Sequence, residues 1–160
     1  MDWEALYFEY LPRVYNFFRY RVGDGSAAED LTAETFEKAW KHRHQYNQIV
    51  ASFGTWLFSI ARNVSIDYFR SQRNHPQIDE TDLVYNVESA EETFERSENL
   101  SQLTKLLEVL SNKEKELIAF KYGSGLTNKE IAHLTGLSET NVGTILHRAV
   151  RRIRERWEYM

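Results

Sequence analysis

Five arginines crowd the stretch from Ile145 to Arg156, at positions 148, 151, 152, 154 and 156, against Glu155 as its single acid. Guanidinium groups at this density suit phosphate oxygens, which they can hold by paired hydrogen bonds. At helical spacing Thr140, Thr144, His147 and Arg151 fall within about 60° of one another. Opposite them Val142, Ile145, Leu146, Ala149, Ile153 and Trp157 form an apolar stripe about 120° wide. Short polar side chains near a helix start can read base edges in a major groove, and later arginines can hold the backbone. Ser138, Glu139 and Asn141 stand at that start, and Arg148 and Arg154 flank the polar face. A second group lies between 53 and 74: Arg62, Asn63, Arg70 and Arg73 fall within about 100°, with Trp56 near the beginning. Arginines beside an exposed aromatic can follow a nucleic-acid backbone and stack on or wedge against a base. A solvated basic face has the same composition, so these residues alone leave both readings open. Metal chemistry fits poorly. His42 and His44 would point about 160° apart on a helix. The absence of cysteine removes thiolate ligands, thiol nucleophiles and disulfides. No catalytic group, cofactor or metal is expected.

The elements needed to position these groups read as helices only. The pattern Ser/Thr-x-x-Glu, in which hydroxyl and carboxylate satisfy orphan backbone donors, recurs at Ser26/Glu29, Ser89/Glu92, Ser111/Glu114 and Thr127/Glu130. The sequence predicts helices near 3–21, 27–45, 53–74, 90–110, 112–122, 128–134 and 139–157. Pro12 is expected to divide or kink the first. Gly23, Gly25, Gly123, Gly125 and Gly136 fall in the gaps. No alternating strand pattern or internal repeat stands out. The chain has 160 residues, 42% apolar and 28% charged, the composition of a soluble domain or two small ones. No apolar run approaches a membrane span, and the start MDWEALYFEY lacks the pattern of a secretory signal.

The run TNKEIAHLTGLSETNVGTILHR (127–148) has helix-turn-helix spacing. Ala132 allows a close helix crossing, Gly136 four residues later permits the turn, and Val142 plugs the gap. This turn pattern favours DNA binding over a merely solvated basic face for the helix that follows.

Net charge is −4, which taken whole argues against a nucleic-acid partner. The charge is segregated. Between Gln77 and Leu100 eight acids and one base give −7, so the rest of the chain carries +3. Such asymmetry suggests two folded parts joined by an acidic connector, in part mobile because it holds few large apolar residues. Residues 1–20 contain eight aromatics, expected to be mostly core. In helix 27–45, Phe36 and Trp40 lie off the small-residue stripe of Ala28, Leu31, Thr35 and Ala39. Glu29, Asp30, Glu34 and Glu37 surround the two aromatics. Apolar groups rimmed by charge suit a protein interface, although core packing fits the spacing equally well.

Three segments in order now carry a resemblance: AAEDLTAETFEKAWK (27–41), GTWLFSIARNVSIDYFRSQRN (54–74) and LSNKEKELIAFKYGSGLTNKEIAHLTGLSETNVGTILHRAVRRIRER (110–156). The chain closely resembles the bacterial extracytoplasmic-function sigma factors, the smallest members of the main sigma family. The resemblance implies an all-α protein of two small helical domains: region 2 at 1–75, an acidic linker at 76–99 and region 4 at 100–160. It implies promoter-specific transcription initiation in the cytoplasm, without catalysis. The partners would be promoter DNA, core RNA polymerase (clamp helices of the largest subunit, flap of the second-largest) and an anti-sigma factor. Asp30, Leu31, Glu34, Phe36, Ala39 and Trp40 would grip the clamp helices. Trp56, Arg62, Asn63, Asp67, Arg70 and Arg73 would meet the −10 element, with the loop 46–53 holding a flipped base. Ser138, Glu139, Thr140, Asn141, Thr144, His147, Arg148 and Arg151 would read the −35 element. One departure matters: where the family commonly has a Val-Lys-Ser-Arg-Leu-like run, this chain has Val142-Gly143-Thr144-Ile145-Leu146, lacking two cations.

A coil of about 22 residues spans about 25 Å on average, whereas the promoter elements lie about 60 Å apart. The polymerase is therefore expected to hold the connector stretched. With only +3 outside the connector, weak promoter binding by the free protein is expected, two weak contacts acting together once polymerase joins them. Two rival classes are a helical repressor or activator that never joins polymerase, and a metal-dependent enzyme using His42, His44 and nearby acids. The two N-terminal motifs oppose the first and the histidine spacing opposes the second.

Overall fold

A computed structural model of the chain describes residues 1–74 and 102–159. The acidic connector, the Ser89/Glu92 pattern and most of the helix expected at 90–110 lie outside the described residues. Every regular element among those described is helical.

Helix α1 spans Trp3–Val22. The Asp2 carboxylate accepts from the Ala5 N–H at 3.1 Å, and Gly23 (φ 71°) ends the helix in the left-handed region. The helix runs through Pro12 undivided. Proline in a helix interior costs about 3 kcal/mol, and here full burial of Val14, Phe17 and Phe18 just beyond it offsets that cost. Helix α2 spans Gly25–Lys41. Its cap is Asp24, which accepts from the Ser26 N–H at 3.0 Å, so the expected Ser26/Glu29 box is pre-empted two residues upstream. It also ends earlier than expected, and Arg43–Gln45 form a 3₁₀ turn. Helix α3 is Phe53–Asn74.

After the undescribed stretch, α4 is helical over 102–107. Helix α5, Asn112–Ile118, opens on the expected Ser111/Glu114 capping box. Its last turn widens into a π turn, Ala119–Gly123, where the sequence predicts plain helix to 122. Gly123 explains how this turn can sit so near α1: a Cβ there would come within 3.1 Å of the Asn16 carbonyl oxygen and the Tyr20 ring. Helix α6, Asn128–Thr135, starts on the Thr127/Glu130 box and stops at Gly136 (φ 76°). Helix α7 is Glu139–Glu158, capped by Ser138.

Helices α1, α2 and α3 pack on one another; α7 packs on both α5 and α6, and α6 also meets the π turn. These two halves are not separate beads. Helix α1 also packs on α5 and the π turn, and α3 on α6, so both halves share one apolar cluster. At its centre Phe120 stacks on Phe17 (4.6 Å between centroids, 14° between planes) and meets Phe58 edge-on at 6.3 Å. All three are fully buried. Beside them Arg13 Nε donates to the Ser124 carbonyl (2.7 Å), and Ser124 Oγ donates back to the Arg13 carbonyl (2.9 Å).

Candidate nucleic-acid and partner interfaces

The turn between α6 and α7 sets the direction of α7. The Gly136 N–H donates to the Ala132 carbonyl, Ser138 Oγ accepts from the Asn141 N–H at 3.0 Å, and Val142 is fully buried against the turn. Leu146 and Ala149 continue that buried stripe, with Ile145 and Ile153 partly buried. Trp157 does not belong to it as expected. It is 57% exposed, because α7 has by then run past the helices that cover its apolar side.

The opposite face of α7 is open. Ser138, Glu139, Thr140, Asn141, Thr144, His147, Arg148 and Arg151 are all exposed. The Thr144 hydroxyl donates to the Thr140 carbonyl (3.0 Å), which leaves its oxygen free to accept. Arg151 lies 3.7 Å from Glu155, an exposed pair of little strength. Arg152 pairs instead with the buried Glu114 and helps fasten α7 to α5. Gly143 faces open space apart from Asn128 Nδ2, 3.6 Å from where a Cβ would lie. Gly143→Ala is therefore expected to stabilise the fold by about 0.5–1 kcal/mol, raising the melting temperature by about 2–4 °C. A thermal melt showing no rise would mean α7 needs glycine there.

On α3, Asn63, Asp67, Arg70 and Arg73 are exposed, with Arg70 and Asp67 3.9 Å apart. Arg62 is different. Its Nε lies 3.2 Å from both carboxylate oxygens of Glu116 on α5, so the opposite half of the fold holds it. Next to it, Arg21 at the end of α1 lies against the Phe69 ring (4.6 Å) with Nε and Nη1 buried and unpaired among the described residues. Burial pulls the Arg21 pKa below the ordinary arginine value, Glu116 opposing and Arg62 adding to the effect.

Trp56 is not the exposed aromatic expected near the start of α3. It is partly buried among Trp3, Tyr46 and Phe53, at 6.3, 5.2 and 5.8 Å. The exposed apolar groups lie in the loop before it: Ile49 is 92% and Val50 79% exposed. That loop holds its turn through Asn47, whose side chain accepts from the Ile49 N–H at 2.9 Å. Two adjacent aliphatics in an otherwise polar loop were the signal in the sequence for this pair.

On α2 the small-residue stripe is core, as its spacing implies: Ala28, Leu31, Thr35 and Ala39 are buried. This corrects the placement of Leu31 and Ala39 on a partner-facing surface, since neither side chain reaches it. Asp30 is exposed, Glu34 pairs with Lys38 (3.2 Å), and Phe36 is half-buried. Trp40 is 51% exposed, with the Arg43 guanidinium 3.8 Å above its ring and Trp3 at its edge. Trp3, Tyr7, Phe36, Trp40 and Phe53 line a groove of about 450 Å³ between α1 and α2.

The profile of Sigma-70 region 2 matches residues 6–75, and that of Sigma-70 region 4 matches residues 100–153. The ECF RNA polymerase sigma factor SigM of Bacillus subtilis is 31% identical over 96% of this chain and 94% of its own length. This chain belongs to the ECF RNA polymerase sigma factors. Their relative BldN of Streptomyces coelicolor is 32% identical over 91% of this chain, which spans 56% of BldN. Among solved structures, a sigma factor RpoE in complex with the anti-sigma factor NepR, from Bartonella quintana, has the same fold. It aligns over 96% of this chain and 95% of its own, with a TM-score of 0.72 at 24% identity. CnrH in complex with the cytosolic domain of CnrY gives 0.68 over 97% of this chain and 84% of its own at 19% identity. Among the described residues of this sigma factor, no helix is long and apolar enough to cross a membrane.

Proposed function

We propose that this sigma factor binds core RNA polymerase, directs it to promoters, and separates its tasks between the two cationic helices. The observation that carries the reading is that each matched region contributes one helix with an exposed polar and cationic face, α3 in region 2 and α7 in region 4. Residues 1–75 serve as the unit for polymerase binding and the −10 element, 76–99 as the connector, and 100–160 as the unit for the −35 element. In α7, Thr140, Asn141, Thr144 and His147 face base edges while Arg148 and Arg151 hold phosphates. Ser138 and Glu139 set the helix start. In α3, Arg62, Asn63, Asp67, Arg70 and Arg73 face the −10 strand. Ile49 and Val50 serve as the wedge beside it, with Trp56 bracing the loop. Asp30, Glu34, Phe36 and Trp40 meet the clamp helices of the polymerase largest subunit, and region 4 meets the flap of the second-largest. An anti-sigma factor is the expected antagonist, since the RpoE relative is seen bound to one. The factor works in the cytoplasm and leaves phosphodiester chemistry to the polymerase. Trapping the unpaired strand lowers the net cost of melting.

The test is run-off transcription with purified core polymerase and genomic promoter fragments. A transcript that depends on this chain supports the reading. No dependent transcript together with no core binding overturns it, and DNA binding alone would favour a regulator that never joins polymerase.

A further inference from the structure

We infer that Arg21 is a second phosphate-holding arginine beside Arg62, and that Glu116 takes the place of the DNA phosphate while the two halves are packed together. The inference rests on the reading of α3 as the −10 face.

Arg21, Arg62, Lys113 and Glu116 line one cleft of about 310 Å³. One wall is the end of α1 with α3, and the other is α5 with the end of α6. Three cations against one acid leave the cleft positive. An arginine kept for structure alone ordinarily has its donors satisfied, since a buried unpaired donor is costly. Arg21 keeps two donor atoms buried and unpaired among the described residues, while its guanidinium lies 4.6 Å from the centre of the Phe69 ring. That is a prepared cation with Glu116 nearby but no anion hydrogen-bonded to those two donors. Arg62, in the same cleft, has an anion: both oxygens of the Glu116 carboxylate lie at equal distance from its Nε, as two phosphate oxygens could.

Glu116 and Lys113 both belong to α5, so they leave together when α5 separates from α1 and α3. Arg21 and Arg62 then remain, on the same half as Asn63, Arg70 and Arg73. The closed packing thus masks two cations, and separation exposes a phosphate-binding pair at the edge of the −10 face.

The probe is a fluorescein-labelled single-stranded 20-mer DNA of random sequence, read by anisotropy against the full chain across a salt series. Glu116→Gln is expected to tighten binding by the free protein about fivefold or more. Adding Arg21→Gln is expected to remove that gain and to reduce the slope of log K against log salt by about 0.7, the loss of one phosphate contact. With core polymerase saturated by the sigma factor, Arg21→Gln should reduce heparin-resistant open complexes, whereas Glu116→Gln should leave their number unchanged. No gain from Glu116→Gln overturns the masking. An unchanged salt slope on removing Arg21, with or without a lower melting temperature, overturns the phosphate role and leaves Arg21 structural. If wild-type holoenzyme yields no transcript, the sigma reading fails first, and the salt slope still reports separately on Arg21.

Discussion

Replacing Trp40 with alanine is expected to weaken binding to core RNA polymerase about 30-fold, about 2 kcal/mol. Large aromatics carry a disproportionate share of interface energy when a rigid side chain meets a pocket. Trp40 is already positioned for that: Arg43 lies 3.8 Å above one face and Trp3 sits 5.7 Å away at its edge, yet half of its surface is open. Little rotamer entropy is left to lose on binding. The same exposure means that the fold depends on it weakly, so the melting temperature should shift by only a few degrees. Competition binding against a labelled wild-type chain gives the number. A change below threefold would move the polymerase contact off this end of α2. Asp30→Ala should act in the same direction but less, because an exposed rim charge contributes little net affinity.

Phe120→Ala is expected to cost about 3–5 kcal/mol of folding stability. Its ring is fully buried and touches Phe17 and Phe58 across the junction of the two halves, so truncation opens a cavity that neither half can fill alone. Against a total of about 5–15 kcal/mol, that loss leaves a marginal protein. Urea unfolding should show a midpoint lower by about 1–3 M. Phe120→Leu, which keeps most of the volume, should retain much of the stability. A loss under 1 kcal/mol for the alanine variant would mean that the two halves stand apart in solution.

What the sequence reveals is mostly what depends on neighbours along the chain. The Ser111/Glu114 and Thr127/Glu130 caps, the Gly136 stop and the buried stripe of Val142, Leu146 and Ala149 all follow from spacing within a few residues. The same holds for the open polar face of α7. Apart from the Asp24 cap, which is local, the main misplacements have their cause in residues distant in sequence. Trp56 and Trp40 look alike near helix ends. Trp3 from α1 meets both, and Tyr46 from the preceding loop then shelters the first while the second keeps half of its surface open. Pro12 is tolerated because of what α1 packs against. Leu31 and Ala39 fall inside because α1 and α3 cover that side of α2. The hold of Glu116 on Arg62 joins residues 54 apart and has no local trace.

The shared core of Phe17, Phe58 and Phe120 also has a consequence for polymerase binding. A packed chain of 160 residues has a radius of gyration of about 15 Å, too small to reach two elements about 60 Å apart. If polymerase, in bringing the chain to both elements, accepts only a separated conformer, its apparent affinity is the intrinsic one multiplied by the fraction already separated. If the aromatic seam holds the closed state by about 3 kcal/mol, that fraction is about 1% and the apparent affinity is about a hundredfold weaker. The seam then raises the concentration at which polymerase is half occupied by the same factor, while the shape of the binding curve stays unchanged.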